Sequence, residues 1–176
     1  MRFLFALMAA FLAACGSPEQ KVVTEYLASD APTNQLWDME TMITDSGVAK
    51  SKIKAGYAAK YGRAGDSRTF LDSSVYVENY DDAGNITSVL TCQRGIIDDV
   101  TKDMEAFNKV KVVNSDGTIL ESEYLKFTQS TGLLSSDKFV TITKPDQVLR
   151  GTGFESDRNI RNFRIFKASG EVDVKK

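Results

Sequence analysis

The sequence predicts an all-β fold of antiparallel strands. Three features carry that prediction. After residue 36, apolar residues mostly alternate with polar ones, the period-two pattern of strands with one buried face. Polar turns separate the alternating runs: Asp45-Ser46-Gly47, Asp81-Asp82-Ala83-Gly84-Asn85 and Asn114-Ser115-Asp116-Gly117. Helical spacing is confined to two short stretches, at Val22–Leu27 and Val100–Phe107.

The chain opens with Arg2 and an apolar run from Phe3 to Ala14. That run is too short to span a bilayer, which takes about 20 residues. A charged start, a short apolar stretch and small residues before a cut site describe a secretory signal. Leu12-Ala13-Ala14-Cys15-Gly16 resembles a bacterial lipoprotein box, in which the cysteine is lipidated and becomes the new N-terminus. The alternative is a plain secretory signal with an incidental cysteine. The expected organisation is a lipoprotein signal over 1–14, a lipidated N-terminus and tether over 15–36, and a folded β domain over 37–176. More than one acyl chain on Cys15 gives a stable membrane anchor, where a single chain does not.

Pro18 and Pro32 interrupt the tether. Val22, Val23, Tyr26 and Leu27 have the spacing of a short helix, too short to stand without packing. Strand patterning begins near Trp37. Ala49, Ser51, Ile53 and Ala55 alternate with Lys50, Lys52 and Lys54, so one face of that strand packs and the other is polar. Val75 and Val77 share a face, and the Asp81–Asn85 turn leads into Ile86–Cys92. Val100, Met104 and Phe107 allow a helix capped by Asp98 and Asp99. A turn and a strand start suit the β flanks better. Val110 and Val112 lead into Asp116-Gly117, a hairpin signal because both residues tolerate positive φ. Strands follow over Thr118–Thr128, over Phe139–Thr143 before Pro145, which cannot donate to a ladder, over Val148–Phe154 and over Asn162–Lys167. Ile119-Leu120, Val148-Leu149 and, more weakly, Ile86-Thr87 recur at a hairpin-sized spacing, as in a sheet that grows by repeated units.

Composition excludes several chemistries. The chain has 176 residues, a net charge of −2 and no histidine. That removes His-activated nucleophiles and the commonest metal ligand. The charge balance lacks the basic face that nucleic acid requires. With Cys15 committed to lipid, Cys92 has no disulfide partner. It reads as a small buried apolar residue, or less readily as a reactive thiol. Asp81-Asp82 and Asp98-Asp99 fall in turns, which leaves no carboxylate pair across a cleft for glycoside hydrolysis. Gly151-Thr152-Gly153 lacks the third glycine and the helix of a nucleotide loop, and reads as close backbone approach or a bulge. Neither a cofactor nor a metal is expected.

Several runs resemble the LptC family, the periplasmic component of the lipopolysaccharide exporter. They are Met42-Ile43-Thr44-Asp45-Ser46-Gly47, Val110-Lys111-Val112-Val113-Asn114-Ser115-Asp116-Gly117, Ser136-Asp137-Lys138-Phe139-Val140-Thr141-Ile142, and Gly151-Thr152-Gly153-Phe154-Glu155-Ser156-Asp157 followed by Asn162-Phe163-Arg164-Ile165. The resemblance covers about residues 37–174. It implies a twisted, open-ended antiparallel β-jellyroll without enzymatic activity. Such a protein receives lipopolysaccharide from an inner-membrane ABC transporter and passes it to an LptA-like periplasmic bridge protein. Many family members carry an N-terminal transmembrane helix, where this chain offers a lipid on Cys15. The implied location is the periplasm, lipid-anchored to the inner membrane. Gly16 is not the aspartate that retains many lipoproteins there, so the sequence leaves the choice of membrane open.

The inward apolar positions are the candidate lipid-binding residues: Val75, Val77, Ile86, Leu90, Val110, Val112, Leu125, Phe127, Val140, Ile142, Phe163 and Ile165. Each acyl CH₂ buried among them contributes about 0.8 kcal/mol. The same alternation also suits a solid core, and the alternative function is a structural or assembly lipoprotein without lipid cargo. Handover needs sheet edges that accept a partner's strand. Phe163–Val174 is the candidate edge for the bridge protein and Trp37–Ile43 the candidate for the transporter. Lys50, Lys52 and Lys54 are a solvated strand face or, alternatively, contacts for glycolipid phosphates.

Overall fold

The computed structural model describes residues 31–63 and 66–168. The apolar run, Cys15, the short helix expected at 22–27 and the end of the candidate C-terminal edge lie outside the described residues. The fold is all-β, one antiparallel sheet of eleven strand segments with no helix among the described residues.

Strands β1 (Asn34–Asp45) and β2 (Val48–Arg63) form the first hairpin. Its two-residue loop places Ser46 and Gly47 at φ 51° and 83°, the mirror-image turn whose twist matches that of the strands. β1 begins at Asn34, ahead of the expected boundary, because β2 is long enough to pair it as far as Lys60. Two short strands come next, the first unannounced by the alternation and the second the one that Val75 and Val77 marked. β3 (Asp66–Asp72) and β4 (Val75–Tyr80) both run antiparallel to β2 and are separated only by Ser73-Ser74, at φ 60° and 70°. β5 (Ile86–Cys92) and β6 (Arg94–Asp98) are likewise one strand broken at Gln93. Then follow β7 (Met104–Asn114), β8 (Ile119–Thr128), β9 (Leu133–Thr143), β10 (Val148–Asp157) and β11 (Phe163–Ala168).

With β3/β4 and β5/β6 taken as interrupted strands, every strand pairs with its neighbours in sequence. The interruptions are aligned. The Gly56 amide donates to Ser73 O (3.1 Å), and the Gln93 amide to Asn108 O (3.1 Å), beside Asn108 and Lys109 at φ 62° and 52°. Register shifts continue the line between Ser122 and Lys126 on β8 and at Gly153 on β10. Bulges bend strands and raise their twist. A line of them from β2 to β10 is a crease along which the sheet folds onto its own apolar face. That is the physical basis of the jellyroll.

The turns are built by side chains. At 98–103 the chain turns without a helix: Asp98 Oδ1 accepts the amides of Val100 (2.9 Å) and Thr101 (2.8 Å). The β7–β8 loop differs from the expected two-residue turn. Only Gly117 has positive φ, at 85°. The Gly117 amide donates to Asn114 O (3.0 Å), and Asp116 Oδ1 accepts the Thr118 amide (2.9 Å), a three-residue loop with its glycine in the left-handed position. Gly151 and Gly153 play both roles read for them. A side chain at Gly151 would collide with Ile165 Cγ2 and Lys167 O on β11, and Gly153 sits at φ 80° in the β10 bulge.

The centre of the core lies on β7 to β10. Val110, Leu120, Val140, Ile142 and Phe154 are at most 1% exposed. Ile160, from the β10–β11 turn, inserts into the same cluster. At the margins, β1 pairs only with β2 and β11 only with β10 among the described residues, so the sheet is open at both edges.

Candidate functional site

The inner face is not packed throughout. Between the β2–β4–β5 end of the sheet and the strands that fold over it lies a cavity of about 790 Å³, within the roughly 300–1,000 Å³ of small-molecule and lipid sites. Val75, Val77, Leu90, Val112, Leu125 and Phe127 line it. Cross-strand registry aligns these side chains: Val77 is opposite Leu90, and Leu90 opposite Val112.

The twelve candidate positions therefore divide. Six line the trough. Val110, Val140 and Ile142 fill the solid part of the core, at 1%, 0% and 0% exposure. Phe163 and Ile165 are half-buried on β11 and pack against that core. Ile86 does not face inward; it is 46% exposed. It opens β5 directly after the Asp81–Asn85 turn and pairs with Tyr80 across a register shift, which takes it off the apolar row.

Other wall residues were not among the candidate lipid-binding positions. Ile53, Leu71, Cys92, Ala106 and Leu134 are buried and line the cavity. Ile53 had a signal, in the alternation with the lysines. Leu71 sits in a β3 run too polar to announce itself, and Leu134 in the unannounced start of β9. Cys92 is a wall residue: its Sγ lies 3.1 Å from Arg94 O, and burial pushes its thiol up to about 11. A thiol held protonated in this way is a poor nucleophile.

Many of the charged groups nearby are paired with one another or with turn amides. Lys52 and Lys54 both pair with Glu40 (2.6 and 3.2 Å), and Lys50 with Asp82, so the triplet is an ion-paired strand face. Asp81 accepts the amides of Ala83 and Asn85. Asp99 is desolvated, which raises its pKa, but hydrogen bonds from Ser67, Lys60 and Thr69 outweigh this and hold it low. Three cations line the trough: Lys50, which is paired there with Asp82, and Arg158 and Lys102. Arg158 stacks over Phe127 at 4.5 Å from the ring centroid, and Lys102 lies at the rim beside Met104. Among the described residues, no group of three acidic or sulfur side chains is arranged to hold a metal. The arrangement offers an apolar surface bordered by cations and by the carboxylates Asp45, Asp81, Asp82 and Glu105, which suits the apolar part of an amphiphile.

A family model described as "Lipopolysaccharide-assembly, LptC-related" matches residues 4–168. The chain belongs to the LptC family. The match begins inside the apolar run and ends at the last residue of β11, so it takes in the whole described sheet. No curated protein matches the chain. As an LptC-family protein it has a role in lipopolysaccharide transport, as a non-enzymatic, inner-membrane-associated component on the periplasmic side.

Proposed function

We propose that this chain receives lipopolysaccharide from the inner-membrane ABC transporter of the export system and passes it to an LptA-like bridge protein. The trough holds the acyl chains during transfer. The observation that carries this reading is the hollow inner face: a sheet with an apolar cavity beside a solid core, open at both edges. An acyl chain in the trough replaces water on Val77, Leu90, Leu125 and Phe127, and about 0.8 kcal/mol per buried CH₂ is enough to retain a lipid. The open edges supply the partners. β11 adds a strand of the bridge protein, and β1 meets the transporter's periplasmic domain, with main-chain hydrogen bonds giving affinity. A lipid on Cys15 holds the domain at the inner membrane. A globomycin-sensitive mass shift that Cys15→Ala abolishes tests that anchor.

A photo-crosslinking side chain at Phe127 tests the conduit. In cells it captures lipopolysaccharide, whereas one at the exposed Val113 does not. Crosslinks only to protein, from Phe127, Leu125 and Leu90 alike, would show that the trough carries no lipid and favour a purely structural lipoprotein.

A further inference from the structure

The outer face of the sheet changes character at the crease. On one side it is ionic: Lys52 and Lys54 pair with Glu40, and Lys111 with Glu121. On the other side it is aromatic. Ile53 and Ala55 are buried on the inner face before Gly56, and Ala58 is buried there after it, so the bulge turns Tyr57, Ala59 and Tyr61 outward. The registers carry this outer face across the neighbouring strands. Trp37 on β1 is opposite Tyr57, Phe70 on β3 lies between Ala59 and Ile96 of β6, and Phe107 on β7 is opposite Arg94.

The rings pack against one another. Trp37 and Tyr57 are 5.7 Å apart between centroids, and Tyr61 and Phe70 5.4 Å. A groove of about 650 Å³ runs among Tyr57, Tyr61, Phe70, Ile96 and Phe107. The layer is nevertheless uncovered: Trp37, the chain's single tryptophan, is 69% exposed, and Phe70 39%. At its margin Asp72 accepts the Ser73 amide, while Arg94 is exposed and makes no ion pair among the described residues. A contiguous exposed patch of this kind marks a protein or membrane contact.

Two observations choose between them. The first is where the chain enters the sheet. The amide and the hydroxyl of Thr33 both donate to Lys60 O (2.7 and 3.1 Å), which places the entry beside Tyr61 and leads directly to Trp37. An attachment of residues 1–30 to the inner membrane, with which this family is associated, therefore brings this corner of the sheet to the lipid first. The second is the mixture of side chains. Trp and Tyr, with an apolar body and a polar tip, are the residues of the membrane–water boundary, and an unpaired arginine beside them suits an anionic lipid surface.

We propose that this aromatic face rests on the lipid bilayer, with Trp37 and Phe70 at the headgroup boundary and Arg94 against lipid phosphates. The face points away from the trough and leaves the main chain of β1 free, so the contact fixes how the trough is held over the membrane. The inference goes beyond the transfer reading and is independent of what the trough carries.

Trp37 is itself the probe. The full chain is mixed with protein-free vesicles of phosphatidylethanolamine and phosphatidylglycerol, a portion of the latter brominated along its acyl chains. Quenching of Trp37 emission then reports lipid contact at this residue, however the rest of the chain is attached. The wild type is quenched and its emission moves to shorter wavelength. Phe70→Ser lowers the ratio of quenched to unquenched Trp37 about three- to tenfold, as expected for partial loss of one buried ring. Phe139→Ser, at an exposed residue of β9 outside the patch, leaves it unchanged. Should Phe70→Ser not fold, Arg94→Gln takes its place, with a loss of about fivefold. Unquenched wild-type Trp37, or a spectral shift that appears only when a partner protein is added, overturns the inference. So does equal quenching in wild type and Phe70→Ser, or an equal loss in Phe139→Ser. None of these results bears on lipid capture at Phe127.

Discussion

Gly151→Ala isolates the attachment of the C-terminal edge strand. A Cβ at residue 151 meets Ile165 Cγ2, Lys167 O and, at 2.9 Å, Ala168 Cα. Two of these three atoms are backbone, so no rotamer change relieves the clash, and β11 itself must move. β10 and β11 are joined by five register pairs from Gly151–Ala168 to Ser156–Phe163. The far end is also held by Phe163 against Phe154, at 6.3 Å between ring centroids. The strand should therefore peel from its Ala168 end and stay attached at Phe163. Overpacking of this kind costs about 1–3 kcal/mol. For a domain of this size that lowers Tm by about 3–10 °C. Hydrogen exchange gives the location: protection falls over Ile165–Ala168 and persists in β7 and β8. Gly132→Ala is the control, since no atom lies within 4 Å and only its φ of 68° is strained. It should cost about 1–2 kcal/mol without changing exchange in β11. Unchanged Tm and unchanged exchange at Ile165–Ala168 in Gly151→Ala would refute the argument.

Other outcomes follow from the same geometry. Leu120→Ala, in a fully buried position, should cost about 2–5 kcal/mol in urea unfolding, whereas Val113→Ala on the exposed side of β7 should stay within about 0.5 kcal/mol. Cys92, with its thiol raised to about 11, has on the order of one thiolate per thousand molecules at pH 8; iodoacetamide should modify it only in denaturant, and rapid labelling of the folded chain would contradict its burial. Asp157 is desolvated, which raises its pKa, but the amides of Arg161, Asn162 and Asn159 and the Asn162 side chain outweigh this and lower it. Its stabilisation of the β10–β11 turn is thus full above the unfolded carboxylate pKa and is lost as pH falls through the lower folded value. Asp157→Asn should accordingly reduce Tm at pH 7 and converge with the wild type in strong acid; a difference that grows on acidification would reverse that assignment.

The fold class was legible because period two survives wherever a strand has one wet face. Val110–Val112, Leu125–Phe127 and Val140–Ile142 all lie where alternation puts them. β3 and β6 were not legible. Each is short, and Phe70-Leu71 and Ile96-Ile97 set adjacent apolar residues on opposite faces, which blurs the period. The crease left no apolar signature either, since it is written in backbone angles at Ser73, Ser74, Asn108 and Lys109. Nor did alternation separate trough from core. Val77 and Val140 carry the same side chain on equally good strands, yet one lines a cavity and the other is sealed. What separates them is their place in the sheet: Val77 lies on β4 at the hollow end and Val140 on β9 in the solid part.

That division bears on how a lipid carrier stays folded while empty. An apolar trough left unfilled loses contacts that a packed interior would keep, so the rest of the sheet must hold it open. Here the solid part sits on β7 to β10, with Leu120, Val140, Ile142 and Phe154 at 1% exposure or less. The trough is walled by β2, β4 and β5 and by the inner side of β7 and β8. β7 belongs to both parts: Val110 is sealed, while Val112, two residues along, faces the cavity. A change at Val110 should therefore unfold the domain, and a change at Val77 should alter lipid retention at little cost in stability. Val110→Ala and Val77→Ala make the comparison. If both lower Tm alike and neither affects capture of lipopolysaccharide at Phe127, trough and core are one hydrophobic core and the division fails.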